Sequence, residues 1–310
     1  MNKPADKSTD KSADKSADNY SKDNNSTGNP EFQPADTQIR LSTGSQKLDK
    51  LLGGGIEKGA LTEIYGEGGS GKTNFCLVML KNVALSGKKV AYIDTEGVSL
   101  ERLKQICGSD FDSVLKNLRL YHVYSMTEQA DVVEKCLRLT KTPSSDIGLI
   151  VLDSATGLYR LTLGTDEETM SRNSLSCQII NLMTVSRRLE IPTIITSQVY
   201  TSLRKETFEP LGGHILSHYA KTIVFFEKLQ YGARRATLIK HRAASEGTSV
   251  IFYLSASGIS DTEPEKPYEI LIIRYYLYIC SSYCYCHEGS DCSSSCAAVW
   301  WGRDCDYQAD

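Results

Sequence analysis

The sequence has no apolar run of 18 residues or more, and its polar N-terminus lacks the apolar stretch of a signal peptide. We therefore expect neither a membrane-spanning helix nor a secretory leader, and we predict a cytoplasmic protein. A strong compositional bias is also absent, since apolar residues make up 40% and charged residues 24% of the 310 residues. These values exclude the collagen, coiled-coil and wholly disordered classes.

A large charge of either sign is missing as well, because the formal net charge is only −3. Acidic residues dominate the two ends of the chain, whereas basic residues slightly outnumber acidic ones between residues 37 and 261. This distribution allows a phosphate-rich ligand in the middle of the chain but does not require one.

Three segments differ in composition. Residues 1–36 begin with polar repeats that cannot bury enough apolar surface to offset their ordering entropy, so we expect a disordered tail. Residues 37–261 have a globular pattern and suffice for one core. Residues 262–310 hold six of the ten cysteines, without the paired spacing of a zinc site. We expect this Cys-rich tail to lie outside the fold, as the product of a shifted reading frame or as a metal-binding segment.

Apolar strands alternate with helical stretches through most of the middle segment. The predicted strands have the sequences ALTEIYG, KVAYIDTEG, NLRLYHVYS, IGLIVLDSA and IPTIITSQV. The predicted helices span residues 73–86, 99–107, 127–140 and 170–189. This α/β alternation predicts a mostly parallel, twisted sheet with helices on both faces. The later strands TIVFFEK, RRATLIKH and TSVIFYLS follow without long helices, and we expect them to extend the sheet in antiparallel fashion.

A glycine-rich segment links the first of these strands to the first helix. Its sequence GEGGSGKT matches the phosphate-loop pattern G-x-x-x-x-G-K-[ST], in the strand–loop–helix context that the pattern requires. Glycines let backbone N–H groups surround phosphates, and the helix N-terminus adds partial positive charge. We expect Lys72 to contact the β- and γ-phosphates and the Thr73 hydroxyl to bind Mg²⁺. The candidate ATP-binding residues here are Gly66, Glu67, Gly68, Gly69, Ser70, Gly71, Lys72, Thr73 and Asn74.

Polar side chains stand at the ends of three other predicted strands. Asp153 ends the strand IGLIVLD, where a carboxylate would lie beside the phosphates and could help to bind Mg²⁺. Glu96 and Asp94 are both candidates for the base that orients water, and Glu96 is preferred because it lies further out of its strand. Gln198 closes the fifth strand, where it either senses the γ-phosphate or makes an ordinary strand-end hydrogen bond.

The order and spacing of these motifs resemble the core of the RecA/RadA recombinases. The opening LSTGSQKLDKLLGGGIEKGALTEIYGEGGSGKTN is similar to the start of that core, and IDTEG, IVLDS and ITSQV follow in the family's order. The segments LGGHILSHYAK and IKHRAASEG resemble RadB, the group of short archaeal paralogues of RadA. The resemblance covers roughly residues 39–261. KaiC-like ATPases share the LDKLLGGGI type of opening, so a regulatory ATPase that acts through protein contacts is the alternative.

The resemblance implies a RecA-like P-loop ATPase with weak activity in homologous recombination and DNA repair. Lys72 and Thr73 would be its Walker A pair, and Asp153 its Walker B acid. Glu96 would be the water-activating carboxylate. Arg102 stands where family members stack an arginine on adenine, although a helix arginine can equally be a solvated one.

The resemblance also implies contact with DNA. The loop at residues 199–210 contains Arg204 and Lys205 and is shorter than in strand-exchanging recombinases, so we expect DNA binding without strand exchange. Lys240 and Arg242 end a strand, where they contact the DNA backbone, a neighbouring subunit's ATP, or only solvent. The expected partners are single-stranded or branched DNA, the RadA recombinase, a Holliday-junction nuclease and further copies of the chain.

Overall fold

The computed structural model describes residues 40–139, 146–202 and 207–264. The predicted disordered tail and nearly all of the predicted Cys-rich tail lie outside these ranges. Within the ranges, none of the helices combines the length and the apolar character needed to cross a membrane.

Helices and strands alternate along the described residues. The α-helices are α1 (Gln46–Leu51), α2 (Lys72–Leu85), α3 (Leu100–Cys107), α4 (Phe111–Asn117), α5 (Met126–Leu139), α6 (Glu168–Leu189) and α7 (Gly213–Tyr219). The strands are β1 (Arg40–Leu41), β2 (Ile56–Glu57), β3 (Leu61–Gly66), β4 (Lys89–Asp94), β5 (Leu118–His122), β6 (Ile147–Asp153), β7 (Thr193–Ser197), β8 (Val199–Ser202), β9 (Thr207–Pro210), β10 (Thr222–Lys228), β11 (Ala233–Lys240), β12 (Ser249–Ser255) and β13 (Gly258–Ser260).

One nine-stranded sheet organises the molecule, in the order β13-β12-β11-β10-β3-β7-β6-β4-β5. The strands from β10 to β5 in this order pair in parallel. The strands β11, β12 and β13 extend the sheet in antiparallel fashion. The predicted fold class is therefore confirmed. A feature that the sequence did not reveal is that β8 and β9 pair as a separate antiparallel hairpin, where only a loop was expected.

Side chains that alternate along the strands build a hydrophobic core on each face of this sheet. On β4, Tyr92 packs in the cluster that contains α2, whereas the next residue, Ile93, packs with α5 and α6. Successive side chains of a strand point to opposite faces, so strands that are covered on both sides must be apolar throughout. This explains why β6 has the nearly continuous apolar sequence IGLIVLD.

Polar side chains mark where helices begin and where the described fold closes. The hydroxyl of Ser99 accepts the backbone N–H of Arg102 at the start of α3, as an N-cap does. After β13, the Asp261 carboxylate accepts the backbone N–H of Gln46 over 2.7 Å, and the Asp261 carbonyl accepts the Lys47 ammonium over 2.6 Å. These contacts fasten the end of the last strand to α1.

Strand direction decides which charged residues lie near the glycine-rich loop. β10 runs parallel to β3, and Phe226 pairs with Gly66 at the carboxyl end of β3. β11 runs antiparallel to β10, so its first residues, including Arg234, lie at that same edge of the sheet. Its last residue, Lys240, pairs with Ile223 and lies towards the opposite edge.

Candidate nucleotide site at the carboxyl edge of the sheet

The loop between β3 and α2 requires glycine at particular positions. A Cβ atom on Gly66 would lie 2.2 Å from the carbonyl oxygen of Phe226, which is far inside van der Waals contact. Gly71 has a φ of 103°, a left-handed value that is unfavourable for other residues, and α2 starts directly after it. The free N–H groups at the start of α2 therefore face the loop, as an anion site requires.

Lys72, the first residue of α2, lies folded into this loop. Its ammonium donates to the carbonyl oxygens of Gly66 and Glu67 over 2.8 and 2.9 Å. Burial lowers the pKa of Lys72, while the negative charges of Glu96 and Asp153 act in the opposite direction. The loop thus holds a buried cation that two of the predicted acidic residues attract.

Asp153 at the end of β6 is fully buried. Its carboxylate accepts the hydroxyl of Tyr92 over 2.7 Å and also the hydroxyls of Thr196 and Thr73. Burial raises the pKa of Asp153, and these three hydrogen bonds oppose that rise. The structure therefore brings together Thr73 and Asp153, the two residues that were predicted to bind Mg²⁺.

Asp94 and Glu96, the two candidates for the base, have different environments. The buried Asp94 carboxylate accepts the backbone N–H groups of Glu96, Gly97 and Val98. It also contacts the ring of His122 at 3.0 Å. Its oxygens are therefore occupied in shaping the loop. Glu96 is exposed and is carried by that loop. The geometry favours Glu96 as the carboxylate that can reach a water molecule.

Gln198 is in direct contact with Glu96. Its side-chain N–H₂ group donates to Glu96 Oε1 over 2.8 Å, and its Oε1 accepts the guanidinium of Arg160 over 3.0 Å. Because the arginine can only donate, this contact fixes which end of the amide faces Glu96. Sequence reasoning missed Arg160, although it lies only seven residues after Asp153, on the segment that leaves β6.

The Arg102 side chain is held by hydrogen bonds to other parts of the protein and is not simply solvated. Its guanidinium donates to Asn74 Oδ1 over 2.8 Å and to the carbonyls of Ser255 and Ala256 over 2.7 and 3.1 Å. It also contacts the side chain of Gln105. These partners hold the flat guanidinium between α2 and the turn that joins β12 to β13. The Asn74 side chain, predicted to help bind the nucleotide, is used in this contact.

Arg234 is a second arginine that sequence reasoning did not connect with the nucleotide site. Its side chain is buried, and its Nε donates to the carbonyl of Gly69 in the glycine-rich loop over 3.1 Å. The sequence alone offers no signal for this contact, because nothing in it distinguishes Arg234 from the neighbouring Arg235. The structure separates them: Arg235 forms an ion pair with Glu227 at 3.8 Å.

The residues predicted to bind DNA fall into two pairs. Arg204 and Lys205 lie outside the described residues, between β8 and β9. The Lys240 ammonium donates to the carbonyl of Ser217 in α7 over 2.7 Å. Arg242 donates to Glu57 over 2.7 Å, and about half of its side chain (53%) is exposed. Neither of the latter two is a merely solvated strand-end cation.

The chain is similar to known proteins along most of its length. A model of the Rad51 family matches residues 35–262. Two proteins named "DNA repair and recombination protein RadB" are similar to this chain. The one from Methanococcoides burtonii is 38% identical to this chain over 221 residues, and the one from Archaeoglobus fulgidus is 39% identical to it over 223 residues. The chain belongs to the RadB group of the Rad51 family.

The RadB relatives align along almost their entire length. The matches cover 71% of this chain and 97% of the M. burtonii protein, and 72% of this chain and 98% of the A. fulgidus protein. RadB from Methanoculleus marisnigri is 40% identical over 220 residues, with shares of 71% and 97%. A crystal structure of the RadB recombinase superposes with a TM-score of 0.62 and 37% identity, covering 72% of this chain and 100% of that chain. The resemblance to RadB is therefore confirmed.

Proposed function

We propose that this RadB-family protein binds ATP and DNA in homologous recombination and DNA repair, and that it hydrolyses ATP slowly. The observation that carries the proposal is the meeting of four side chains at one edge of the sheet. Lys72 and Thr73 begin α2, Asp153 contacts the Thr73 hydroxyl, and Glu96 lies beside Gln198. Transfer of a phosphoryl group to water requires a lysine at the phosphates, ligands for Mg²⁺ and a carboxylate that activates the water, and these four side chains include all three.

The chemistry of this edge fits a magnesium nucleotide. The buried hydroxyls of Ser70 and Ser154 have no hydrogen-bond partner among the described residues, so two donors remain for phosphate oxygens or for water on the metal. Thr73 and Asp153 would hold Mg²⁺, which is a hard cation that prefers oxygen ligands. When bound, Mg²⁺-ATP supplies the phosphoanhydride bond that is cleaved.

The protein's own groups then have distinct roles. Lys72 neutralises negative charge on the phosphates, because its ammonium lies within the loop that surrounds them. Glu96 accepts the proton of the attacking water, and Gln198 holds the Glu96 carboxylate in place. Glu96 is exposed, so the described residues do not close the site against bulk water. We therefore expect slow turnover.

Two further arginines would support the nucleotide. Hydrogen bonds to Asn74 and to two backbone carbonyls fix the orientation of the planar Arg102 guanidinium. We propose that adenine stacks on this guanidinium. Arg234 braces the glycine-rich loop through the carbonyl of Gly69. An arginine that is already fixed loses less rotamer entropy when a ligand binds.

DNA contact is proposed for the hairpin of β8 and β9. This hairpin starts directly after Gln198, and the carbonyl of Gln198 accepts the N–H of Leu211 over 2.7 Å, so both ends of the hairpin meet at the nucleotide site. Arg204 and Lys205, between its strands, would contact the DNA backbone, with Arg242 as a further exposed cation. Such a short hairpin offers little surface on which to stretch and stack bases, so we expect no strand exchange.

Protein partners are proposed from the family alone. They are the RadA recombinase, a Holliday-junction nuclease and further copies of this chain, with single-stranded or branched DNA as the common substrate. Co-sedimentation of the protein with RadA filaments, measured with and without ATP, tests the first of these partners directly.

ATP turnover tests the enzymatic half of the proposal. The Lys72→Ala variant should lose at least about 100-fold in kcat, which is the scale of removing one group that stabilises transition-state charge. The Lys88→Ala variant removes an exposed lysine and should match the parent protein. Glu96→Gln should lower kcat while nucleotide affinity stays within about twofold, because it removes only the base. Unchanged turnover in Lys72→Ala would contradict the proposal.

Anisotropy of labelled single-stranded DNA, titrated at several salt concentrations, tests the other half. The double variant Arg204→Ala/Lys205→Ala should bind more weakly, and the slope of log K against log salt should fall by about 1.4, or about 0.7 per lost phosphate contact. A protein that fails to bind DNA even at low salt cannot have the proposed DNA function.

A further inference from the structure

The loop that carries Glu96 is short and exposed, although the proposed mechanism requires a fixed carboxylate. It spans residues 95–99, between the end of β4 at Asp94 and the start of α3 at Leu100, and Glu96 and Gly97 are both exposed. An exposed loop with few buried contacts moves easily. A base must stay within hydrogen-bond reach of the water that it activates, so other groups have to hold this loop in place.

The Asp94 carboxylate holds the loop from one side, and each of its oxygens has two partners. Oδ1 accepts the N–H groups of Glu96 and Gly97 over 3.1 and 2.9 Å. Oδ2 accepts the N–H of Val98 over 2.7 Å and contacts Nδ1 of the His122 ring at 3.0 Å. The carboxylate is buried, so these four groups take the place of water around its charge. Removing one of them leaves a buried charge partly unsatisfied.

Three of these four partners belong to the loop itself, and the fourth, His122, belongs to β5. His122 ends that strand and pairs directly with Asp94 in the parallel register of β4 and β5. The N–H of the next residue, Val123, donates to the carbonyl of Asp94 over 3.0 Å. Because a carboxylate can only accept, Nδ1 of the His122 ring carries a proton and donates it. The imidazole therefore fixes the loop-holding carboxylate to the sheet.

The other side of Glu96 is held to β6. The N–H of Thr95 donates to the carbonyl of Asp153 over 2.9 Å. The Thr95 hydroxyl accepts the N–H of Ser154 over 2.8 Å and donates to its carbonyl over 3.0 Å. The backbone of Glu96 thus lies between two anchors, one on β6 and one on β5. The second anchor includes a single side chain from β5, the imidazole.

We propose that His122 is a positioning residue for ATP hydrolysis, which acts through Asp94 to hold Glu96 where its carboxylate reaches the attacking water. This inference rests on the proposed function, since it requires Glu96 to be the base. Without the imidazole, Oδ2 of Asp94 turns towards a replacement partner, and the N–H groups that it holds move with it. A displacement of about 1 Å between reacting groups can lower a rate about 100-fold, so a small shift of the loop is enough.

The role is limited to placing Glu96, because the nucleotide contacts have supports of their own. The loop leads into α3, which carries Arg102, but the Arg102 guanidinium is held by Asn74 and by the carbonyl of Ser255. Lys72 lies on a different element, α2. Loss of the imidazole should therefore lower kcat for ATP and leave the affinity for ATP unchanged.

Two substitutions separate the donor from the ring. His122→Phe keeps the planar shape of the ring but cannot donate, whereas His122→Asn loses the ring and places an amide N–H₂ group near the position of Nδ1. We expect kcat to fall about tenfold in His122→Phe and to stay within about twofold of the parent value in His122→Asn. A purely structural role of this half-exposed ring (48%) would give the opposite order, since phenylalanine packs better than asparagine.

Matched controls accompany these measurements. His218→Phe replaces an exposed histidine of α7 and should match the parent in kcat. The affinity for ATP should stay within about twofold of the parent value in all of these variants. If circular dichroism shows that His122→Phe does not fold, His122→Ala takes its place, because alanine also lacks the donor.

A double variant tests whether His122 acts through Glu96. In Glu96→Gln the base is already missing, so its position no longer matters. Adding His122→Phe to this variant should lower the single-turnover rate by less than about twofold, compared with about tenfold in the parent background.

Four results would overturn the proposal. The first is an unchanged kcat in His122→Phe. The second is a kcat in His122→Asn that is as low as in His122→Phe. The third is a loss of ATP affinity as large as the loss of kcat, and the fourth is the same loss of rate in both backgrounds. A parent protein without ATPase activity, or parent turnover in Glu96→Gln, would instead contradict the proposed function, so the two failures are distinguishable.

Discussion

The parallel half of the sheet and its antiparallel extension place charged residues in different ways. In the parallel half, all strands end at one edge, so Glu96, Asp153 and Gln198 converge although they lie far apart in sequence. In the extension, β11 runs the other way, which puts Arg234 at the nucleotide edge and Lys240 towards the opposite one. A strand-end residue can be assigned to a site from sequence in the first region, but only from strand direction in the second.

The largest effect is expected at Gly66, where the parallel strands β3 and β10 lie side by side just before the antiparallel extension begins. An added methyl group there would meet the Phe226 carbonyl of the adjoining strand at 2.2 Å, so Gly66→Ala should lower the free energy of unfolding by about 4 kcal/mol or more. Gly68→Ala, in the same loop, should change it by no more than about 0.5 kcal/mol, because nothing lies within 4 Å of its added Cβ. Urea denaturation measures both values, and equal losses would mean that β3 and β10 are not tightly packed at Gly66.

The next largest effect concerns Glu63 in the middle of β3, which belongs to the parallel half of the sheet. Its pKa is raised from 4.5 to about 7 by burial, so the folded protein binds a proton that the unfolded chain has released between these two pH values. The free energy of unfolding should therefore fall by about 3 kcal/mol on this account as the pH rises through that interval.

Glu63→Gln should remove this contribution and flatten the pH dependence of unfolding relative to the parent protein. Glu246→Gln, which changes an exposed glutamate, should leave the pH dependence as it is. Thermal or urea unfolding at several pH values between 4.5 and 8 supplies the comparison. Parallel curves for the parent and Glu63→Gln would show that folding does not raise the pKa of Glu63.

A smaller effect distinguishes two adjacent arginines of the extension. Arg234→Ala removes a buried side chain that hydrogen-bonds to Gly69, and should cost about 2 kcal/mol of stability and raise the KM for ATP several-fold. Arg235→Ala should cost no more than about 0.5 kcal/mol, because Arg235 is 44% exposed and pairs with Glu227 at 3.8 Å. Similar losses of stability in both variants would mean that the hydrogen bond of Arg234 to the glycine-rich loop does not stabilise the protein.

Most of the parallel half could be predicted from the sequence, because its signals are strong and local. The helix predicted at residues 127–140 is α5 at Met126–Leu139, and the one predicted at 170–189 is α6 at Glu168–Leu189. The strand predicted to end at residue 97 stops at Asp94, because the Asp94 carboxylate binds the next N–H groups and turns the chain. The side chains at the carboxyl ends of the parallel strands lie near one another, as their positions in the sequence predict, because parallel strands end at the same edge of the sheet.

The remaining features depend on partners that are distant in sequence. α7 (Gly213–Tyr219) has only seven residues, which is too short for helical periodicity to be recognised in the sequence. The roles of Arg160, Arg234 and Lys240 depend on what each side chain meets across the sheet, on residues 38, 165 and 23 positions away. No local pattern contains that information, so charge alone suggested a surface role for Lys240.

The position of β3 in the sheet also has a consequence for how the chain is made. β3 is the first long strand to leave the ribosome, yet both of its neighbours, β7 and β10, come from residues 193–228. At about 5–20 residues per second, the ribosome needs roughly 6 to 25 seconds more to reach β7. For that time the nascent chain carries a strand that is fully buried in the finished fold, with both of its edges unpaired. Chaperone protection would therefore matter most during the middle of synthesis, and the phosphate loop, translated early, is among the last parts to take shape.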